Sequence, residues 1–171
     1  KDNTIIGGSS HGQTIGLLTE DTAENLILEG NSLFGVAFST GTLSTQLAYG
    51  GVLQSTVTST GNTWTGGFVT GADSAIIGIA LEENASLSST LDVVSGGEIL
   101  NPDPNLDQQA VGIISNSTER QSFHQAIIQG ATEAGNKAYG AILERSTNFE
   151  FFDSQIESGA SVLESIGVWS T

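Results

Sequence analysis

The chain has no cysteine and no methionine, only two prolines among 171 residues, and four basic residues against 19 acidic ones. Each shortage excludes something. Without cysteine there are no disulfides and no thiolate metal sites. Lys and Arg are too few to form the basic patch that follows a phosphate backbone or an anionic membrane surface. No run approaches the roughly 18 uninterrupted apolar residues of a membrane-spanning helix. Aromatics make up 6% of the chain, which leaves few rings beyond those a core requires. The formal charge of −15 keeps molecules apart in solution and suits a saline setting. A charged content of only 13% is nevertheless low for strong halophile adaptation. Lys1 is a poor product of initiator-methionine removal, so the start reads either as a maturation cleavage or as a chain lacking its own beginning.

What is abundant is glycine, 22 residues, among many Ser, Thr and β-branched residues. That mixture favours pleated surfaces and turns over helix. Five times a glycine sits inside an apolar run and a second glycine closes a later one. The pairs are Ile15-Gly16-Leu17-Leu18 to Gly30, Phe34-Gly35-Val36-Ala37 to Gly50, Ile77-Gly78-Ile79-Ala80 to Gly96, Val111-Gly112-Ile113-Ile114 to Gly130, and Tyr139-Gly140-Ala141-Ile142 to Gly159. Polar stretches lie between the members of each pair, so each unit reads as strand, turn, strand. Glycine costs roughly 0.5–1 kcal/mol inside a strand. Its recurrence therefore implies a close neighbour, either backbone or aromatic ring, or a bulge that bends the strand. The leading glycines fall at 16, 35, 78, 112 and 140, a spacing too irregular for a solenoid. The fold expected is mainly β, a small antiparallel barrel or sandwich of successive hairpins.

Alternation marks strands at 25–29, 51–58, 90–93 and 125–129, with turns at Thr60-Gly61-Asn62, Thr70-Gly71-Ala72-Asp73 and Ser95-Gly96-Gly97. Apolar spacing over 154–166 also permits one short C-terminal helix. Asn101-Pro102-Asp103-Pro104-Asn105 is a breaker, because proline gives no ladder hydrogen bond. The division that follows is a flexible N-terminal arm at 1–14, a β-core at 15–100, and a second hairpin region at 101–171.

Catalytic chemistry finds little to stand on. The two histidines, His11 and His124, are far apart, and there is no Gly-x-Ser-x-Gly elbow. Asp103-Pro104-Asn105-Leu106-Asp107 has the first three ligand types of a calcium loop, but Gln108 stands where glycine is needed and Ile114 where a bidentate Glu belongs. A solvated turn is the reading there. Glu20-Asp21-Thr22-Ala23-Glu24 and Glu82-Glu83 read as soluble hairpin turns. Gly7-Gly8 and Gly66-Gly67 lack the Lys-Ser/Thr of a phosphate loop. Trp64 and Trp169, with Phe149, Phe151 and Phe152, are the rings that a sugar-binding surface would use. Asn84-Ala85-Ser86 and Asn116-Ser117-Thr118 are glycosylation sequons in expected turns. The expectation is a chain that is not an enzyme and holds no cofactor or metal.

Ser32-Leu33-Phe34-Gly35-Val36-Ala37, Ala75-Ile76-Ile77-Gly78-Ile79-Ala80-Leu81-Glu82 and Leu91-Asp92-Val93-Val94-Ser95-Gly96-Gly97 resemble segments of the small β-rich decoration (cement) proteins of tailed-bacteriophage capsids. Val111-Gly112-Ile113-Ile114 and the stretch Gln125 to Gly130 share that cadence. The resemblance implies a compact β fold, often a trimer, that binds the major capsid protein at symmetry axes and stiffens the shell without catalysis. The expected role is thus a structural protein on the virion surface, with the 1–14 arm adding as a strand to a neighbour. A secreted bacterial or archaeal cell-surface or filament subunit is the alternative, and a carbohydrate-binding module the third reading. Neither nucleic acid nor membrane is an expected partner.

Overall fold

The computed structural model describes residues 1–8, 12–22, 25–35, 45–70, 73–100, 102–132 and 135–171. Strands account for 65% of the chain, with no helix among the described residues, and every pairing between them is parallel. The chain winds as successive coils. The first holds β1 (Thr4–Ile6), β2 (Gln13–Thr19) and β3 (Leu26–Glu29). The second holds β4 (Ser32–Phe34), β5 (Gln46–Leu53) and β6 (Thr56–Thr60). The third holds β7 (Thr63–Thr65), β8 (Phe68–Thr70), β9 (Ser74–Leu81) and β10 (Ser86–Thr90). The fourth holds β11 (Val93–Leu100), β12 (Gln108–Ser115) and β13 (Gln121–His124), and the fifth β14 (Ile127–Ala131), β15 (Gly135–Leu143) and β16 (Phe149–Phe152). β17 (Gln155–Glu157) and β18 (Ser161–Ser170) begin a sixth. Corresponding strands stack into sheet I (β1-β4-β7-β11-β14-β17, with β8 also on β11), sheet II (β2-β5-β9-β12-β15-β18) and sheet III (β3-β6-β10-β13-β16).

This is a parallel β-solenoid, and it corrects the expected antiparallel barrel or sandwich. The two apolar runs of each presumed hairpin do not pair with each other. The run around Ile15–Leu18 pairs with Tyr49–Val52 one coil on, while Leu26–Glu29 turns into another sheet. The dismissal of a solenoid also fails, for a traceable reason. Gly35 belongs to a different column from Gly16 and Gly78. The true column is Gly16, Gly50, Gly78, Gly112, Gly140 and Gly167, in which an added Cβ at each of the first five would meet the next member's carbonyl oxygen. Coil length along sheet II alternates between 34 residues (Gln13↔Leu47, Ala75↔Gln109) and 28 (Leu47↔Ala75, Gln109↔Lys137). The longer coils carry the connections 36–45 and 101–107.

The short helix expected over 154–166 is likewise overturned. Residues 161–170 extend as β18 along β15, with a register irregularity near Gly135. The strand expected over 51–58 is two strands that meet at a corner, and the one expected over 90–93 spans the corner between β10 and β11. The ladder passes through the proline segment without interruption, since β12 pairs with β9 before it and β15 after it. Thr4–Ile6 of the N-terminal segment pairs in parallel with Ser32–Phe34.

Each corner from sheet III to sheet I is made the same way. Asp2, Gly30, Gly61, Leu91, Gln125 and Asp153 all have φ between +48° and +64°, the left-handed bend that reverses the chain in one residue. The next residue is Asn3, Asn31, Asn62 or Asp92 in the first four coils, and these form a polar ladder. Asn31 Oδ1 accepts from the Asn3 amide N (3.0 Å), Asn62 Oδ1 from Asn31 N (2.7 Å), and Asp92 Oδ1 from Asn62 N (2.7 Å). Two residues further along, the side chain points inward. Ile5, Leu33, Trp64, Val94, Ile128 and Ile156 stack in register, each on its counterpart in the next coil.

The glycine columns divide the interior. A Cβ on Gly78 would lie 2.7 Å from Ser95 O of sheet I, and one on Gly112 would lie 2.8 Å from Gln129 O. Sheets I and II thus touch backbone to backbone along a waist. On one side lies a large compartment around Leu33, Leu53, Trp64, Ile79, Leu87, Ile113 and Phe123. On the other lies a small one around Ala48, Val69, Ile76, Ile99, Ala110, Ala131 and Ala138. A third apolar cluster, Val52, Ile77, Ala80, Val111, Tyr139 and Ile142, covers the opposite face of sheet II.

Candidate functional site

Stacking brings the acidic turns together. Asp21 follows β2, Gln54 follows β5, and Glu82, Glu83 and Asn84 follow β9, so all occupy the corner between sheets II and III. They line an open cleft of ≈ 230 Å³. Asn84 Nδ2 donates across it to Asp21 Oδ1 at 3.4 Å. Read along the chain, Glu20–Glu24 and Glu82–Glu83 are unrelated turns; equal phase within the coil is the signal that joins them.

The cleft is lined by the oxygen acceptors of three carboxylates and two side-chain amides. Among the described residues, no group of three or more His, Asp or Glu is placed to hold a metal ion. His124 lies elsewhere on sheet III, its ring stacked 4.6 Å from that of Phe152. His11 falls outside the described residues, as do Val36 and Ala37.

The 103–107 turn is held by its own hydrogen bonds. Asp103 Oδ1 accepts from Asn105 N (2.9 Å) and Nδ2 (2.8 Å), which holds the Asp103 carboxyl below its ordinary range. Lys137 Nζ donates to Asp107 Oδ1 at 2.8 Å and lowers that carboxyl also. Asn136 Nδ2 donates to Asp103 O and to Leu106 O from beneath. Asp103 and Asp107 are thus engaged in different contacts rather than turned toward one point.

The rings considered for a sugar surface do not assemble. Trp64 is completely buried, and its Nε1 donates to Ser59 Oγ at 3.3 Å. Phe149 and Phe151 pack against the large compartment, with Phe149 stacked 5.3 Å from Phe123. Phe152 is exposed on sheet III and Trp169 on sheet II, where Trp169 stacks on Tyr139 at 5.9 Å. Tyr139 Oη donates to Glu164 Oε2 at 2.9 Å, and burial together with that carboxylate pushes the Tyr139 pKa up to about 12. Burial, with the nearby Glu82 charge, raises Tyr49 in the same direction. Neither phenol ionises at neutral pH.

Of the sequons, Asn84 is exposed in a turn and Asn116 is half-buried, its backbone N–H donating to Leu81 O. The buried carboxylate that sequence reading missed is Asp92. It is 1% exposed and receives hydrogen bonds from Asn62 N and, at 2.7 Å, from Ser89 Oγ. Burial pushes its pKa up, against the lowering effect of those bonds. No protein-family model matches the chain, and no curated protein matches it.

Proposed function

We propose that this chain is a non-enzymatic structural module, a rigid acidic solenoid displayed on an exterior surface, as in a secreted cell-surface or filament subunit. The observation that carries the reading is the uninterrupted parallel ladder through all the coils. Such a solenoid supplies length, stiffness and regular side faces rather than a pocket, and each coil contacts only its neighbours. Acidic turns gather at one of its corners, and most of its interior is devoted to packing. The lack of cysteine and the excess of acidic over basic side chains fit a protein that works as a solvated rod. Decoration of a virus particle remains a second reading, favoured by the segments at 32–37, 75–82 and 91–97; its compact-barrel corollary is withdrawn.

The test is native purification from the source, with sedimentation and identification of whatever stays bound. Recovery on cell envelopes or in filaments supports the surface reading, and recovery on particles with a major capsid protein supports the second. A freely soluble species that turns over a substrate would overturn both.

A further inference from the structure

Polar side chains cluster at the edge of the small compartment where sheet II strands begin. Gln46, Ser74 and Gln108 open β5, β9 and β12 and stand directly opposite one another in consecutive coils. Asn136 follows beside Gln108, because Gln109 pairs with Lys137. Gln46, Gln108 and Asn136 are fully buried, and Ser74 is 3% exposed. Gln108 Oε1 accepts from Asp103 N at 2.9 Å, and the Asn136 amide nitrogen is used by Asp103 O and Leu106 O. The rest of the column has no partner among the described residues: Gln46 Oε1 and Nε2, Ser74 Oγ and Asn136 Oδ1.

Buried polar atoms are almost always hydrogen-bonded, and leaving several unmatched in one place costs a few kcal/mol each. The apolar neighbours here are mainly alanines, Ala48, Ala110, Ala131 and Ala138, which take up little volume. Parallel strands are about 4.8 Å apart, a gap that two hydrogen bonds of about 2.8 Å through one intervening oxygen can span. The set contains both donors and acceptors, so the chemistry asks for a molecule that both gives and accepts hydrogen bonds. A cation would be repelled by the Gln46 amide N–H groups.

We infer that the small compartment holds a file of ordered water molecules running along the solenoid axis, bridging Gln46, Ser74 and Asn136. Each water bonds to side chains of adjacent coils and so ties one coil to the next where side chains are too short to do so.

A crystal structure of the chain at a resolution that shows ordered water tests this directly. Expected are peaks within about 2.7–3.2 Å of at least two of the named atoms from different coils. Absence of such peaks, or a direct bond between Gln46 and Ser74, overturns the inference. Thermal melting of Ser74→Ala reads the same point through its sign. A hydrated column loses a bridge, so Tm falls by about 2–4 °C. A dry column is relieved of an orphan hydroxyl, and an unchanged or raised Tm counts against the waters.

Discussion

The two compartments either side of the glycine waist solve the same packing problem differently. The large one is filled by long side chains in register, and its polar groups answer one another: Asn31 to Asn62, Asn62 to Ser59, Ser89 to Asp92. The small one combines four alanines with Val69, Ile76 and Ile99, and several of its amide and hydroxyl atoms have no partner among the described residues. Sheet III, through Leu28, Val57, Leu87 and Phe123, closes the large compartment, whereas the small one lies between sheets I and II alone, so the contrast comes from the third wall. Where the walls diverge, a Trp or Leu fits and stabilises by burying area. In the small compartment four alanines stand among Val69, Ile76 and Ile99, and one edge goes to polar groups. The large compartment is therefore the source of stability, and the small one sets the shape of the corner.

That contrast can be broken most forcefully at Trp64. Trp64→Ala empties the centre of the large compartment and removes one of the hydrogen bonds to Ser59, at a cost of about 4 kcal/mol. For a chain of this size that lowers Tm by roughly 8–16 °C in a circular dichroism melt. Gly112→Ala attacks the waist itself. Its Cβ would sit 2.8 Å from Gln129 O of sheet I, so the sheets must part, at about 3 kcal/mol. Gly167→Ala is the control, since nothing lies within 4 Å of its Cβ, and its melt should overlay that of the parent.

Ile76→Ala probes the small compartment, and there the loss should be nearer 2 kcal/mol, the low end for such truncations, because mostly small side chains surround it. A loss equal to that of Trp64→Ala would remove the distinction between compartments. The smallest effect is expected at Asp92, and it is a gain. Burial sets its folded-state pKa above the unfolded value, so the folded form holds a proton longer, and stability falls as pH rises through that interval. Asp92→Asn keeps an oxygen for Asn62 and has no proton to lose. Its Tm should exceed the parent's by about 2–4 °C at pH 7–8. The gain should shrink as pH drops through the ordinary carboxylate range.

Strand content, the close approach implied by the recurrent glycines and the polar corners were all legible before the fold was known. The pairing partner was not. A hairpin and a solenoid coil share the local pattern of apolar run, polar turn and apolar run; they differ in whether the second run meets the first or one about 30 residues away. Two glycine columns at different phases were read as one, and connections of unequal length hid the repeat. A clearer signal lay in the corners. Asp2-Asn3-Thr4-Ile5, Gly30-Asn31-Ser32-Leu33, Gly61-Asn62-Thr63-Trp64 and Leu91-Asp92-Val93-Val94 share one order: a bend residue, a short polar side chain, an outward residue and an apolar one. The acidic cleft was illegible for the same reason as the fold, since Asp21 and Glu82 become neighbours only when coils are stacked.

The waist also governs how the molecule answers force. A tube filled with side chains yields to sideways pressure by letting them shift rotamer. Here peptide groups of opposite walls already rest on one another at Gly78 and Gly112. A sideways load passes through that strut and meets the low compressibility of close-packed backbone. Pulling along the axis meets only the hydrogen bonds and stacked contacts between successive coils. The rod is therefore stiff in section and peels from its ends, shedding one turn of chain at a time.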